Sequence, residues 1–429
     1  MKIVLIGAGS RSFGRGQIAD ILQAPELRGR GVKLVLVDQD EAALERMTRF
    51  ARRMGGHTGS DVLIESETDR CAALPGADYV IVAVACRRYE LWEQDYRVPL
   101  AYGFHHVLGE NGGPGALFHA LRSLELVIPI CRDVERLCPQ ALVLNFTNPE
   151  ARVLHAICHL TRVRAAGICH GVFTALEYLS RYLDRPVEAM DILSAGMNHF
   201  YCIQRVRDRK SGEDLLPLAL ARATADTAAS PLFRKFAEIF GVFTFPSEDH
   251  IGEYVSFGAE FHGAKWPYGL ESRTLLRQEP AARDIVDDYA AGRCSADAPG
   301  ALQPSGEHAV PIICDVAFNR NAFRPAVNVL NTEGWIENLP RDAAVEVPAR
   351  VDAAGIHPVK VGAIPEAFAA FMRPHCTIHD LLTEAYRTHS RRLLLQALLL
   401  DPNVNSIVRA ERLLDDMLRL QADFLPAFE

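Results

Sequence analysis

The sequence predicts an α/β fold, a doubly wound parallel sheet followed by an α+β region, and three observations predict it. The chain opens on Met1-Lys-Ile-Val-Leu-Ile-Gly-Ala-Gly9, a short apolar strand that runs straight into a glycine turn. The amphipathic stretch Gln17-Ile-Ala-Asp-Ile-Leu-Gln23 follows, which completes a strand, a tight turn and a helix. A second apolar strand, Lys33-Leu-Val-Leu-Val37, ends on Asp38, and strand and helix patterns keep alternating as far as Leu183. In this order Gly7 permits the turn and Gly9 lets the backbone approach a pyrophosphate, which would sit on the N–H groups of the helix start from Ser10 onward. Ser12 stands where the third glycine of the fingerprint is usual. Asp38 suits the hydroxyls of an adenosine ribose and would repel a 2′-phosphate, so NAD is expected rather than NADP. Residues 1–190 are therefore expected to form a Rossmann-like domain, and residues 191–429 an α+β catalytic, substrate and oligomerisation domain.

The later elements read as follows. Glu41 to Met54 has helical spacing and opens with the acid that a helix N-terminus favours. Val62–Glu65 is a third strand, and Ala77–Ala85 a fourth, apolar enough for burial on both faces. The fourth delivers Cys86-Arg-Arg88 to the crevice where a cofactor binds. Phe118 to Leu137 is a long helix, kinked at Pro129, with Arg122, Arg132, Asp133 and Arg136 on its polar side. Ala141–Thr147 is another buried strand, stopped by Asn148-Pro149. Ala165–Gly171 is a short strand, and Thr174 to Leu183 a helix with Thr174 as its N-cap. From Met190 the pattern changes: Ile192–Phe200 runs into Tyr201–Arg207, two strands turning back on each other, and the boundary falls between Asp184 and Ser194. Pro304 to Gly334, rich in Asn and Pro, suggests ordered loops around a site, and Ile378 to Phe424 is helical.

The totals exclude several classes. A chain of 429 residues needs two domains with substantial cores. Its net charge of −8 argues against a nucleic-acid or anionic-membrane partner. No apolar run approaches the roughly 20 residues that span a bilayer, and an N-terminus that is itself a core strand is not a signal peptide. Ten cysteines without a C-x-x-C pair read as reduced thiols, which fits a cytoplasmic protein.

Four stretches carry titratable or amide groups at strand ends. Asn148, in Asn145-Phe-Thr-Asn-Pro149, could bond sugar hydroxyls, although taken alone an Asx turn that breaks the strand is the better explanation. Cys169-His170 and Asn198-His199 each end an apolar strand, where a buried thiol and a core imidazole are the common case. Glu248-Asp249-His250, followed by Glu253 and Tyr254, is dense in acids, as a solvated loop would be. Together, Cys169 and His199 offer a thiolate and an imidazole to a divalent ion, with positions left for substrate hydroxyls.

With these residues on the page the chain resembles glycoside hydrolase family 4, the NAD- and divalent-metal-dependent glycosidases. The matching segments are Lys2–Gly9, Gly112-Gly-Pro-Gly-Ala-Leu-Phe118, Asn145–Pro149, Gly167-Ile-Cys-His-Gly171, Gly196-Met-Asn-His-Phe200, Ser305-Gly-Glu-His308 and Val345–Pro358. The resemblance implies that Cys169 and His199 hold Mn²⁺ or another divalent metal. It also implies that Asn148 and His170 contact the sugar, and that Gly7, Gly9 and Asp38 belong to the NAD site. For the base it leaves Asp249 or Tyr254, and for the acid that protonates the leaving oxygen Glu110 or His170. The implied chemistry is transient oxidation at C3, loss of the C2 proton, elimination of the glycosidic oxygen, addition of water and return of the hydride. Members are homodimers or homotetramers.

His170-Gly171-Val172 looks closer to the α-glucosidase and α-uronidase types, and Gly112–Gly115 more like the α-galactosidases. The expected substrate is an unphosphorylated α-galactoside or α-glucoside. A glucuronide or galacturonide is the alternative, its carboxylate met by Arg87, Arg88 or Arg320. Two rivals use less of the sequence: a malate/lactate-type dehydrogenase, which has no need of Cys169 with His199, and an NAD-sensing scaffold without a metal.

Overall fold

The computed structural model describes residues 1–10, 13–263, 266 and 285–429, so the reading of Ser12 lies outside the described residues. Strands β1 (Lys2–Ile6), β2 (Lys33–Val37), β3 (Leu63–Glu67), β4 (Tyr79–Val82), β5 (Leu142–Asn145) and β6 (Arg164–Gly167) pair in parallel, in the order β3-β2-β1-β4-β5-β6. This is the doubly wound order, and side chains alternate between two apolar layers as a period of two demands. Ile3 and Leu5, Leu34 and Leu36, and Tyr79 and Ile81 face one layer, which holds helices α1 (Phe13–Gln23) and α2 (Glu41–Thr58). Val4 and Ile6, Val35 and Val37, and Val80 and Val82 face the other, against α4 (Gly115–Leu137) and α5 (Glu150–Leu160). Helix α3 (Arg88–Ala101) lies between β4 and α4 in the chain. Each such side chain, fully buried, contributes about 1.5–3 kcal/mol, which is why these short strands stay in register.

The sheet does not stop at the end of the parallel half. Strands β7 (Met190–Met197), β8 (Phe200–Asp208), β9 (Ala322–Leu330), β10 (Ala344–Asp352) and β11 (Gly355–Pro358) continue it, with β9 set antiparallel on β6. The expected β7–β8 hairpin is present, but it pairs with β10 rather than starting a separate sheet. A second core, built on this extension, packs α6 (Gly171–Leu183), α7 (Leu216–Ala225) and α9 (Glu366–Thr388) against it.

Several sequence expectations need correcting. Pro304–Gly334 contains helix α8 (Ala309–Ala317) and all of β9 as well as loops. Pro325 sits where the β9–β10 register slips between Val347 and Ala349, a place that needs no donor from it. Thr174 is not an N-cap, because α6 begins three residues earlier at Gly171. Arg122 does not lie on a solvated face: it is buried and forms a bidentate pair with Asp95 of α3. The C-terminal region is three helices, α9, α10 (Arg391–Leu399) and α11 (Ile407–Leu420), and starts earlier than expected.

Candidate active site

The C-terminal ends of β1, β2, β4 and β5 open onto a cleft of 960 Å³ lined by Gly7, Ser10, Asp38, Arg88, Glu110 and Asn148, among others. Gly7 turns the chain at φ +92°, and a Cβ there would stand 2.0 Å from the Ala83 carbonyl oxygen. Only glycine fits both constraints. Asp38 receives the Gly9 N–H at 2.8 Å and the Asp40 N–H at 3.0 Å, so the acid also shapes the turn it faces. Ser10 Oγ accepts the Phe13 N–H at 3.1 Å, which caps the start of α1. The helix–strand approach expected of the missing third glycine is made by Gly14, where a Cβ would meet the Ala8 carbonyl oxygen at 2.4 Å.

Cys169 and His199 converge, with Sγ and Nε2 3.2 Å apart. The sulfur also accepts the Gly171 N–H, the first of α6, at 3.4 Å. Burial pushes the Cys169 thiol well above its usual range, with Glu346 and Glu307 adding to it, so a bound cation is what would favour the thiolate. Burial, then His250 and His170, hold the His199 imidazole well below its usual value and keep it neutral, the form that binds metal. Among the described residues, the buried His199 Nδ1 has no hydrogen-bond partner. Its backbone has φ +62°, in the two-residue turn between β7 and β8 where glycine is the favoured residue. Among the described residues no three His, Cys, Asp or Glu side chains share one point, so this pair would leave an ion's other positions open. The donor set, one soft sulfur and one neutral imidazole under a group of acids, fits a divalent transition metal.

The candidate bases separate. Tyr254 is buried, stacks on Phe200 with ring centroids 4.9 Å apart, and donates its hydroxyl to the Asn198 carbonyl at 2.8 Å. Burial and the Glu253 carboxyl raise its pKa well above the usual value. This tyrosine braces the turn that carries His199. Asp249 binds His250 Nδ1 at 2.7 Å and also the Ser247 hydroxyl. Burial pushes its carboxyl up, but the bond and charge of His250 outweigh this and hold it below the usual range. His250 in turn stacks on Phe245 at 4.5 Å and lies 4.6 Å from the His199 ring.

The candidate acids differ as well. Glu110 is ion-paired with Arg88 at 3.3 Å, and its backbone N–H is held by Glu253 at 2.7 Å. His170 is 62% exposed at its side chain and bonds Glu307 at 2.8 Å. That bond raises the imidazole's pKa against the opposing effect of burial. Of the three arginines considered for a carboxylate, only Arg88 lines the cleft. Arg87 pairs with Glu90, and Arg320 pairs with Glu26, on α1's far connection. Glu307, Glu346 and His250 were not assigned roles from sequence. Glu346 is buried in β10 and accepts from Asn328 at 3.3 Å; burial raises its pKa to about 8.

The family model described as family 4 glycosyl hydrolase matches residues 2–185, and that of the family 4 glycosyl hydrolase C-terminal domain matches residues 194–404. The chain is 30% identical to an α-glucosidase of Erwinia rhapontici, with 99% of this chain and 98% of the relative aligned. It is 30% identical to an α-galactosidase of Rhizobium meliloti (strain 1021), over 100% of this chain and 89% of the relative. A 6-phospho-α-glucosidase from gut microorganisms, solved in complex with NAD and Mn²⁺, superposes with a TM-score of 0.87 at 22% identity, covering 100% of this chain and 99% of that one. The chain belongs to family 4 of the glycosyl hydrolases.

Proposed function

We propose that the protein is an NAD- and Mn²⁺-dependent glycosidase that hydrolyses an unphosphorylated α-glycoside, an α-galactoside or α-glucoside. The observation that carries this reading is the Cys169–His199 pair, which stands on strand ends of the same sheet whose glycine turn and Asp38 form a dinucleotide cleft. When bound, the dinucleotide and the ion would supply a reversible hydride acceptor for the sugar's C3 and a Lewis acid for its oxygens. Cys169 and His199 would hold the ion, and Asn148 and His170 would orient the sugar beside it. Asp249 is the favoured base, acting with the His250 that it orients, and takes the C2 proton. His170, whose protonated form the Glu307 carboxylate favours, would deliver a proton to the leaving glycosidic oxygen.

The charge around the pair supports a neutral sugar. Glu307 faces the cysteine and Asp249 the histidine, charges that favour a cation and oppose a uronate or phosphate group. Arg87, Arg88 and Arg320 each already face a carboxylate, which weakens the uronide alternative. Family membership displaces the dehydrogenase and scaffold readings. A cytoplasmic homodimer or homotetramer is part of the same proposal; among the described residues no helix is long and apolar enough to cross a membrane. The test is Cys169→Ser, followed by calorimetry with Mn²⁺ and by nitrophenyl α-glycoside cleavage. Metal binding and activity are expected to be lost together, and a metal-stimulated, active variant would overturn the assignment.

A further inference from the structure

The segment from residue 300 to 308 joins the two ends of the site. Its first part is fastened along one face of α1. Arg15 donates to the Gly300 and Gln303 carbonyls at 2.8 and 3.0 Å, and Gln23 to the Leu302 carbonyl at 2.8 Å. Asp20 accepts the Ser305 N–H at 2.8 Å and also its hydroxyl, and Gln17 donates to the same hydroxyl oxygen at 3.3 Å. Gly16 is bare because Ser305 lies against it: a Cβ there would come within 2.6 Å of Ser305 Cβ. Two residues on, Glu307 meets His170, and His308 then stacks on Phe173 of α6 with ring centroids 3.6 Å apart. Glu307 is thus held from both sides, by α1 and by α6.

We propose that Asp20 and Ser305 are positioning residues: their clasp on α1 holds Glu307 against His170 and ties the sugar side of the site to the helix that leaves the glycine turn. The proposal rests on the glycosidase reading above. Ser305 Oγ also accepts the Glu307 N–H at 2.9 Å, so the clasp acts on the site through Glu307. It also gives the segment a reason to be packed on the helix rather than on the sheet.

The test uses Ser305→Ala, which removes the hydroxyl bonds, and Gly16→Ala, which wedges the segment away, each alone and combined with Glu307→Gln. Alanine is a better helix former than glycine, so lost activity at an unchanged or raised Tm marks displacement and not unfolding. Each single variant is expected to lower kcat/KM for a nitrophenyl α-glycoside by about 10- to 100-fold, the effect of a displacement near 1 Å, while the calorimetric Kd for NAD is unchanged. In the Glu307→Gln background neither change is expected to cost anything further. Full activity of both single variants, or losses that multiply with that of Glu307→Gln, would overturn the proposal. If the parent protein cleaves no glycoside, the functional reading fails and amide exchange decides the clasp instead. Ser305→Ala is then expected to speed exchange at Glu307 and His308 while α1 is unchanged, and unaltered exchange there would overturn it.

Discussion

Cys169 and His199 reach the same point by opposite means. The cysteine arrives at the end of a regular strand and is met by the first N–H of α6, an arrangement without strain. The histidine occupies a left-handed backbone position that disfavours any side chain, a departure that persists where function over-determines it. His199→Gly and His199→Ala should therefore both abolish metal binding. The glycine variant is expected to be the more stable of the two by about 1–2 kcal/mol, the reverse of their usual order, as read from denaturant midpoints. Glu253 makes a second test. It is buried under the 110–111 backbone, where desolvation, then the charge of Glu110, raise its pKa to about 8. The folded protein thus keeps a proton that the unfolded chain gives up near pH 4.3. Stability from this group is complete below that pH and falls as pH rises through about 8. Glu253→Gln is expected to flatten that fall in Tm against pH; an unchanged profile would refute the shift. That Cys169 and His199 each follow an apolar run was legible in sequence, and their approach to 3.2 Å is what the fold adds. Glu346 was not, since a glutamate between two valines reads as the solvent face of a strand, and only the sheet's extension buries it.

Helix α1 shows how much of an element its motif conveys. Strand, turn and helix were readable, yet the close helix–strand contact falls on Gly14 and not on the position the fingerprint names. Gly14→Ala would press a Cβ onto the Ala8 carbonyl and is expected to cost about 1–3 kcal/mol and to weaken NAD binding. Gly56→Ala, in α2 with open space around it, is expected to gain roughly 0.5–1 kcal/mol and to leave NAD binding alone. Thermal melts with NAD titration separate the two, and equal effects would remove Gly14's special place. Strand β9 was hidden for a different reason. Pro325 and the flanking asparagines look like loop, and the register slip that accommodates the proline depends on β10, some twenty residues later.

Taken together, the strands form one surface that brings distant segments to a common edge. The parallel half supplies the dinucleotide cleft at its C-terminal ends, where such sheets place ligands. The antiparallel half brings the β7–β8 turn and His199 to Cys169, two residues beyond the end of β6. The sequence displayed both halves but not their union: a single β6–β9 contact, Gly167 opposite Asn328, makes the sheet continuous. No local pattern announces a pairing across more than 150 residues. On the proposed function, this union would let one glycoside meet a hydride acceptor and a metal at once, and cleavage should need both. Cleavage of nitrophenyl α-galactoside, α-glucoside and α-glucuronide, assayed with and without NAD, Mn²⁺ and a thiol reductant while NADH absorbance is followed, tests it. Nitrophenol release that needs both NAD and Mn²⁺, with no net NADH, is the expected result. Release without either cofactor, or steady NADH accumulation without cleavage, would contradict it.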